Sequence, residues 1–208
     1  MAATPRRVGT ETSKTRENIL DCVETLMAEE GYPSVTYRAL AAKAGVTPSL
    51  VQYYFPTLDS IFLVAIRRRT DENLQRLTDA LQARPDEPLH VLWDFSWEEA
   101  TGALVTEFLA LGNHRKTIGE EIARVTEQIR GIQRDALAAH FAATGAIDRK
   151  PSAGALVTLI AGIPKLLTLE KGVGITTDHA DVVDALEAYV DSVEQRKTPR
   201  TQRRKKRK

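Results

Sequence analysis

Two short segments separated by one glycine constrain the fold of this chain more than any other part of its sequence. The first, residues 36–44, is rich in alanine and begins with a threonine, which is well suited to accept a hydrogen bond at a helix N-terminus. Gly45 ends it, and the second segment opens with Thr47 and with Pro48, which favours the first position of a helix. This arrangement predicts a helix-turn-helix, with residues 48–55 as its recognition helix.

The rest of the chain repeats apolar residues at intervals of three and four, which is typical of amphipathic helices, without convincing strand alternation. A first helix is expected to begin at Thr15 and to stop at Gly31, and a long helix should run from residue 58 until Pro85. A break is placed near Ser96. The later helices are expected at 89–95, 97–112, 117–143, 152–171 and 179–195. The sequence therefore predicts an all-α fold.

Composition changes along the chain predict four regions. Both ends are polar and rich in arginine and lysine, whereas the middle carries most of the acidic residues. We expect a flexible arm at 1–14, a three-helix domain that contains the helix-turn-helix at 15–57, a larger helical domain at 58–195, and a basic disordered tail at 196–208.

Several classes of protein are excluded by composition. The single Cys22 rules out an intramolecular disulfide framework and a multi-cysteine metal site, and its position on an apolar helix face predicts a core residue. No apolar run approaches the roughly 20 residues that span a bilayer, so we expect a cytoplasmic protein without a membrane partner. The net charge of +1 says little about partners, because the basic residues are concentrated at the two ends.

Catalysis is not expected. The four histidines, His90, His114, His140 and His179, show no metal-ligand spacing, and the sequence contains neither a nucleophile motif nor a glycine-rich phosphate loop. The sequence therefore predicts no enzyme, no cofactor and no metal site.

The stretch from Arg16 to about Phe62 resembles the DNA-binding module of the TetR family of bacterial regulators. The residues that carry the resemblance are Ile19, Leu20, Gly31, Val35, Thr36, Leu40, Ala41, the run 44–47, Tyr54 and Phe55, in the family's order and spacing. The remainder of the chain resembles the family only in length, helical character and position. Gln52 stands where the family usually has an aromatic residue, and Leu58 replaces a lysine that approaches DNA phosphate.

A recognition helix presents side chains to base edges while other contacts to phosphate fix its register. The expected phosphate contacts are Thr36, Arg38, Thr47 and Tyr54, and the expected base contacts are Pro48, Ser49, Leu50, Gln52 and Tyr53. Packing is the alternative role for the two tyrosines.

The last two helices are candidates for a homodimer interface, because each carries a broad apolar surface. In the resembled family these helices pair with those of a second chain. The expected interface residues are Leu159, Ile163, Leu166, Leu186 and Val190. The alternative is that these residues serve only the core of one chain.

The middle helices hold most of the large side chains, which favours an apolar cavity with a few polar groups for a small-molecule effector. The expected contacts are Trp93, Trp97, Leu104, Phe108 and His114. An ordinary core is the competing interpretation.

These features together predict a transcriptional regulator, and specifically a homodimeric repressor that a small-molecule ligand releases from a palindromic double-stranded DNA operator. Two alternatives remain at this point. A non-specific architectural protein would bind DNA with an affinity governed by salt alone. An activator would share every feature named above, because operator position decides the sign of regulation.

Overall fold

The computed structural model describes residues 7–100, 103–145 and 151–195, with side chains from residue 14 in the first range and from residue 104 in the second. The described residues form α1 (Arg7–Glu30), a 3-10 helix (Tyr32–Ser34), α2 (Tyr37–Ala44), α3 (Pro48–Tyr54), α4 (Leu58–Ala83), α5 (Pro88–Ala100), α6 (Ala103–His114), α7 (Lys116–Ala143), α8 (Ala153–Gly172) and α9 (His179–Val193). The all-α prediction is confirmed. The basic tail predicted at 196–208 lies outside the described residues, as do residues 1–6 of the predicted arm.

Helix α1 begins at Arg7, so the predicted start at Thr15 is wrong. Residues 7–14 carry no apolar repeat, and a prediction based on periodicity therefore misses them. Once a buried turn holds a helix, each further residue adds a backbone hydrogen bond, and polar residues can extend it.

Helix α5 runs through Ser96 to Ala100, so the break predicted near Ser96 is also wrong. The Ser96 hydroxyl donates a hydrogen bond to the Leu92 carbonyl oxygen one turn earlier, at 2.7 Å. Serine can satisfy its hydroxyl on its own helix in this way, and it then no longer competes with the helical backbone. The next described helix, α6, begins at Ala103.

The described residues divide into two compact units. Unit 1 contains the residues up to Leu74 together with those from 103 to Gln128. Its core includes Ile19, Val23, Met27, Leu40, Val51, Phe55, Ile61, Phe62, Leu104, Phe108, Leu111 and Ile118. Cys22 is buried in the same core, where burial raises the pKa of its thiol, as expected of a structural cysteine.

Arginines on α4 bind acidic residues of α1 and α7 within unit 1. The Arg68 guanidinium contacts Asp21 at 2.7 Å and Glu24 at 2.6 Å. Arg67 Nε donates to Glu121 Oε1 at 2.8 Å, and Arg124 Nη2 donates to the same oxygen at 2.7 Å. The hydrogen bonds from Arg124 and Arg67 lower the pKa of the buried Glu121 carboxyl to about 2.

Unit 2 contains the described residues of 75–100, 129–145 and 151–195. In its core α5 packs along α8. The core includes Leu77, Leu89, Leu92, Trp93, Phe95, Leu137, Phe141, Leu156, Val157, Ile160, Leu167, Val183 and Val190.

A buried carboxylate just after α9 caps the start of α5 in unit 2. Glu194 accepts hydrogen bonds from the backbone N–H of Leu89 at 3.1 Å and of His90 at 2.8 Å. The His90 ring lies between two carboxylates, with Nδ1 at 2.8 Å from Glu194 and Nε2 at 2.8 Å from Asp191. The first N–H groups of a helix have no partner within it, so Glu194 satisfies groups that would otherwise be buried without one.

By length and composition alone, α8 is apolar enough to cross a membrane, which the sequence analysis did not anticipate. Leu156, Val157, Ile160 and Leu167 of this helix are buried in the core of unit 2. Only 28% of the apolar stretch of α8 is buried, so packing within this one chain accounts for part of its apolar character, and Leu159, Leu166 and Leu169 remain exposed.

Candidate DNA-binding site

Thr36 and Gly45 define the two ends of α2, as the sequence predicts. The Thr36 hydroxyl accepts a hydrogen bond from the Ala39 N–H at 3.1 Å. Gly45 adopts φ 69° and ψ 32°, the left-handed conformation that glycine reaches without strain. Because only Val46 and Thr47 then separate the turn from α3, the second helix starts immediately after the first has stopped.

Thr47 and Pro48 start α3 in the predicted manner. Thr47 Oγ1 accepts a hydrogen bond from the Leu50 N–H at 3.3 Å, and Pro48 occupies the first turn of the helix. Val51, and Phe55 directly after the helix, are buried in the core of unit 1. One side of α3 is therefore fixed by packing, which leaves the opposite side accessible.

Two hydrogen bonds between side chain and backbone hold the helix-turn-helix against its neighbours. Tyr37 Oη donates to the Phe55 carbonyl oxygen at 3.0 Å and so joins α2 to the end of α3. Asn18 Nδ2 donates to the Ala44 carbonyl oxygen at 3.0 Å and so joins α1 to the end of α2. Sequence reasoning missed both, because the partners lie 18 and 26 residues apart and no local pattern connects them.

Pro48, Ser49, Gln52 and Tyr53 are exposed on one side of α3, and we call these four residues the recognition face. These residues stand at positions i, i+1, i+4 and i+5 of the helix, which lie on one face. Tyr53 is 76% exposed, which is unusual for an aromatic side chain. Ser49, Gln52 and Tyr53 supply donors and acceptors that can reach base edges, whereas Leu50 is half-buried.

The four predicted phosphate contacts differ in exposure. Thr36, Arg38 and Thr47 are exposed, and Tyr54 is half-buried. The rings of Tyr53 and Tyr54 meet edge to face, with centroids 5.4 Å apart. Tyr54 therefore has a packing contact as well as an accessible edge.

Two cations near the helix-turn-helix are engaged by the protein itself. Lys43 Nζ lies 2.7 Å from Glu29 Oε2, and this hydrogen bond raises the pKa of the lysine. The Arg16 guanidinium lies over the Phe55 ring, 5.2 Å from its centroid. No ion pair of Arg38 is found among the described residues, which leaves its guanidinium available to an external anion.

The residues predicted to contact an effector belong to different cores. Trp93 and Trp97 lie in unit 2, where their rings meet edge to face at 5.7 Å. Leu104 and Phe108 are buried in the core of unit 1. His114 is exposed at the end of α6, with its ring centroid 6.4 Å from that of Tyr32.

The residues predicted for a dimer interface differ in exposure. Leu159 and Leu166 of α8 are 44% and 53% exposed, and Leu169 continues their line along the helix. Ile163 and Leu186 are half-buried, and Val190 is 1% exposed within the core of unit 2. The exposed apolar surface of this single chain is thus carried mainly by α8.

Residues 19–65 match the family described as bacterial regulatory proteins, tetR family. The match begins in α1, includes α2 and α3, and ends in α4. It therefore spans the whole helix-turn-helix described above. None of the curated proteins compared matches the chain.

Solved structures resemble the chain over most of its length. A TetR transcription regulator from Haloarcula marismortui covers 88% of this chain and 98% of its own, with 16% identity and a TM-score of 0.67. The transcriptional regulator FadR from Bacillus subtilis, in complex with stearoyl-CoA, covers 84% and 96%, with 16% identity and a TM-score of 0.67. A regulator from Saccharomonospora viridis, in complex with choline, covers 86% and 95%, with 17% identity and a TM-score of 0.62. At these identities the likeness establishes the fold.

A capped helix-turn-helix with an exposed recognition face is the architecture of a DNA-binding module, and here further helices follow it. The match over residues 19–65 gives the family that this segment resembles, the tetR family of bacterial regulatory proteins, and the solved structures show the same fold over most of the chain.

Proposed function

We propose that this chain is a homodimeric cytoplasmic repressor that binds a palindromic DNA operator and leaves it when a small molecule binds. The observation that carries the proposal is the recognition face of α3. Its side chains are exposed on a helix that is capped at its start and buried along its opposite side. A rigid, half-buried helix with an accessible polar face suits insertion into the major groove.

In this proposal α3 enters the major groove. Gln52 is the strongest candidate for base recognition, because its amide can donate to and accept from adenine at once. The proposed base contacts are Pro48, Ser49, Leu50, Gln52 and Tyr53, and the proposed phosphate contacts are Thr36, Arg38, Thr47 and Tyr54. The Arg38 guanidinium supplies the positive charge for phosphate. The hydroxyl groups of the other three phosphate contacts fix the position of α3 along the DNA.

One recognition helix covers few base pairs, so useful specificity requires two half-sites, about 34–36 Å apart or a multiple of that distance. The exposed leucines of α8 support pairing with a second copy. Leu159, Leu166 and Leu169 leave a line of apolar surface in water, and burial gains about 25 cal/mol for each Å² covered. The half-buried Ile163 and Leu186 are the other proposed contacts with the second copy, whereas Val190 is 1% exposed and supports α9 from the core of unit 2.

The region 58–195 is proposed to bind the effector, and 15–57 to bind DNA. Trp93 is buried and Trp97 half-buried in unit 2, and their paired rings are the proposed apolar wall of an organic ligand site. The Bacillus subtilis and Saccharomonospora viridis regulators were solved with stearoyl-CoA and choline, which supports a small-molecule ligand for a protein of this fold. A ligand that weakens DNA binding must itself bind less tightly to the DNA complex, by the same factor.

Selection of genomic DNA fragments by the purified protein, at low and at moderate salt, tests the proposal. Recovery of one palindromic motif that survives moderate salt is the expected result. Fragments without a common motif, lost as salt rises, would contradict it and would favour non-specific binding. The residues 1–14 and 196–208 are proposed to add only salt-dependent affinity, so their removal should leave the motif unchanged.

Transcription from a promoter that contains the selected motif distinguishes repression from activation. The proposal predicts lower transcription when the protein is added. Higher transcription would mean that the protein binds DNA as proposed but acts as an activator.

A further inference from the structure

The ring of His90 lies in unit 2 between two carboxylates, one from the last turn of α9 and one from the residues directly after it. His90 is 1% exposed. Its Nδ1 is 2.8 Å from Glu194 Oε2, and its Nε2 is 2.8 Å from Asp191 Oδ1. Both ring nitrogens are therefore at hydrogen-bonding distance from an oxygen of an acidic residue.

These two partners decide how many protons the ring carries. An ionised carboxylate only accepts hydrogen bonds, whereas a neutral imidazole has one N–H group and one bare nitrogen. A neutral His90 ring would donate to one carboxylate, and its bare nitrogen would face the other. A ring with a proton on each nitrogen donates to both, so that every contact joins a donor to an acceptor.

A proton on one of the acids is the competing arrangement, and the surroundings of both acids disfavour it. The two oxygens of Glu194 accept the backbone N–H groups of Leu89 at 3.1 Å and of His90 at 2.8 Å, and such bonds are stronger when the carboxylate is ionised. The Asp191 side chain is 61% exposed, so water solvates its charge. The geometry therefore favours two carboxylates with an imidazolium between them.

The elements around His90 carry further charged or titratable side chains, and each has a partner. These contacts are Glu87 with Arg84 at 2.7 Å, Asp94 with Arg84 at 3.0 Å, Glu187 with the Trp93 indole at 3.4 Å, and His140 with Glu194 Oε1 at 3.5 Å. Because Arg84 binds the two carboxylates of its own neighbourhood, the contacts to the His90 nitrogens come from Glu194 and Asp191.

We propose that His90 is a pH-sensitive latch that fastens the end of α9 to the start of α5. While the ring carries both protons, it binds Glu194 and Asp191 together. When the ring loses one proton, a single N–H group remains for two carboxylates. Glu194 then stays in place, because two backbone N–H groups also hold it, and the exposed Asp191 is released. The latch lies within unit 2 and depends neither on DNA nor on a ligand.

The latch fixes the direction in which stability changes with pH. Histidine in an unfolded chain loses its charge near about pH 6.5, whereas the folded state keeps the proton. The contribution of the latch is therefore fully present below about pH 6.5 and is lost as the pH rises, until the folded ring also releases its proton. Each pH unit within that interval raises the unfolding constant about 10-fold.

Long-range proton–nitrogen NMR spectra of the full-length protein test the charge of the ring, because they distinguish a protonated from a bare ring nitrogen. We expect both His90 nitrogens to be protonated in the folded protein at about pH 7.5, one unit above the value for an unfolded chain. The His90 signals are those that His90→Gln lacks. If that variant does not fold, glutamine variants of the other three histidines assign the remaining rings and leave His90 by elimination. A bare nitrogen on the His90 ring at this pH would overturn the proposal.

Asp191→Asn tests whether the second carboxylate holds the proton. The variant keeps the shape of the side chain, and the asparagine amide can donate to a bare Nε2. The His90 ring should then lose its proton at least about one pH unit lower than in the wild type. Asp184→Asn, the same substitution at an exposed position two turns earlier on α9, is the matched control and should leave the titration close to that of the wild type. A titration that Asp191→Asn does not change would contradict the latch.

Urea unfolding and hydrogen exchange connect the proton to the position of α9. Between about pH 6.5 and 8.5 the unfolding constant of the wild type should rise at least about 10-fold relative to that of Asp191→Asn. Over the same interval, backbone N–H groups of residues 191–194 should open more often in the wild type, after correction for the intrinsic pH dependence of exchange, while those of Leu89 and His90 stay protected. A constant ratio of unfolding constants, or unchanged opening at 191–194, would show that the proton does not fasten α9.

Discussion

Glu107 of α6 accepts a hydrogen bond from the backbone N–H of Tyr32, with 2.7 Å between Oε2 and the nitrogen. The contact spans 75 residues of sequence and joins α6 to the 3-10 helix that leads into the helix-turn-helix, within unit 1. The preceding Gly31 has φ 81°, and a Cβ at that position would lie 3.4 Å from Glu107 Oε2. Glycine therefore gives this turn its backbone conformation, while a Cβ there would only just touch the carboxylate.

Replacing Glu107 tests this contact. Glu107→Ala should lower the free energy of unfolding by about 1–2 kcal/mol, because it removes a charged acceptor from a partly buried N–H group. Glu107→Gln retains an acceptor oxygen and should lose less. Urea denaturation measures both, and an alanine variant as stable as the wild type would show that the contact contributes nothing to folding.

Glu121 predicts a pH dependence of stability. Its pKa is lowered to about 2 by hydrogen bonds from Arg124 and Arg67, so the folded state favours the ionised form. The contribution is fully present above the ordinary carboxyl pKa of 4.5 and is lost as pH falls from there toward 2. Because both arginines are more than half exposed, we expect about 1 kcal/mol.

Denaturation of wild type and Glu121→Gln between pH 7 and pH 2.5 measures this contribution. The wild type should be more stable at neutral pH, and the difference should shrink toward the acid end. Glu120→Gln, at an exposed neighbouring position, should show no such trend. A difference that stays constant with pH would mean that the ionised carboxylate does not stabilise the fold.

Gly119 marks a close approach between α6 and α7. A Cβ at this position would lie 2.9 Å from the Gly112 carbonyl oxygen, and backbone cannot move aside as a flexible side chain can. Gly119→Ala should therefore lower the free energy of unfolding by about 1–3 kcal/mol. Gly131→Ala, in the same helix with open space around it, should instead stabilise by up to about 1 kcal/mol. Equal changes in the melting temperature of the two variants would contradict the close approach.

The exposed leucines of α8 predict that association depends on this helix. Leu166→Glu should produce monomers in sedimentation velocity while the circular dichroism spectrum stays helical. The reason is that dimerisation would bury the unpaired carboxylates of both chains, which costs free energy. Leu109→Glu, at an exposed apolar position on α6, is the matched control and should not change the oligomeric state. A folded Leu166→Glu dimer would place the interface elsewhere.

Local signals explain why the helix-turn-helix was predictable. Thr36, Gly45, Thr47 and Pro48 act on backbone within a few residues of themselves, so their roles can be read from sequence. The start of α1 at Arg7 was not predictable from periodicity, since no apolar residue marks it.

Contacts distant in sequence were inaccessible for a different reason. The hydrogen bonds from Asn18 to Ala44 and from Tyr32 to Glu107 depend on how helices pack, which no local pattern records. Trp93 and Phe108 were both assigned to an effector site on size alone, and packing then placed them in different cores. The size and apolar character of a side chain predict that it is buried in a core, but they do not predict which of the two cores it joins.

The recognition face of α3 is the centre of this account, and fragment selection with Gln52→Ala tests it most directly. Gln52 is exposed, so its replacement should leave the fold intact while removing its amide from the bases. We predict the wild-type palindrome with preference relaxed at one base pair in each half-site, and binding weakened by about 1–3 kcal/mol per half-site. A motif from Gln52→Ala that is identical to the wild-type motif at every position would contradict base reading by this side chain.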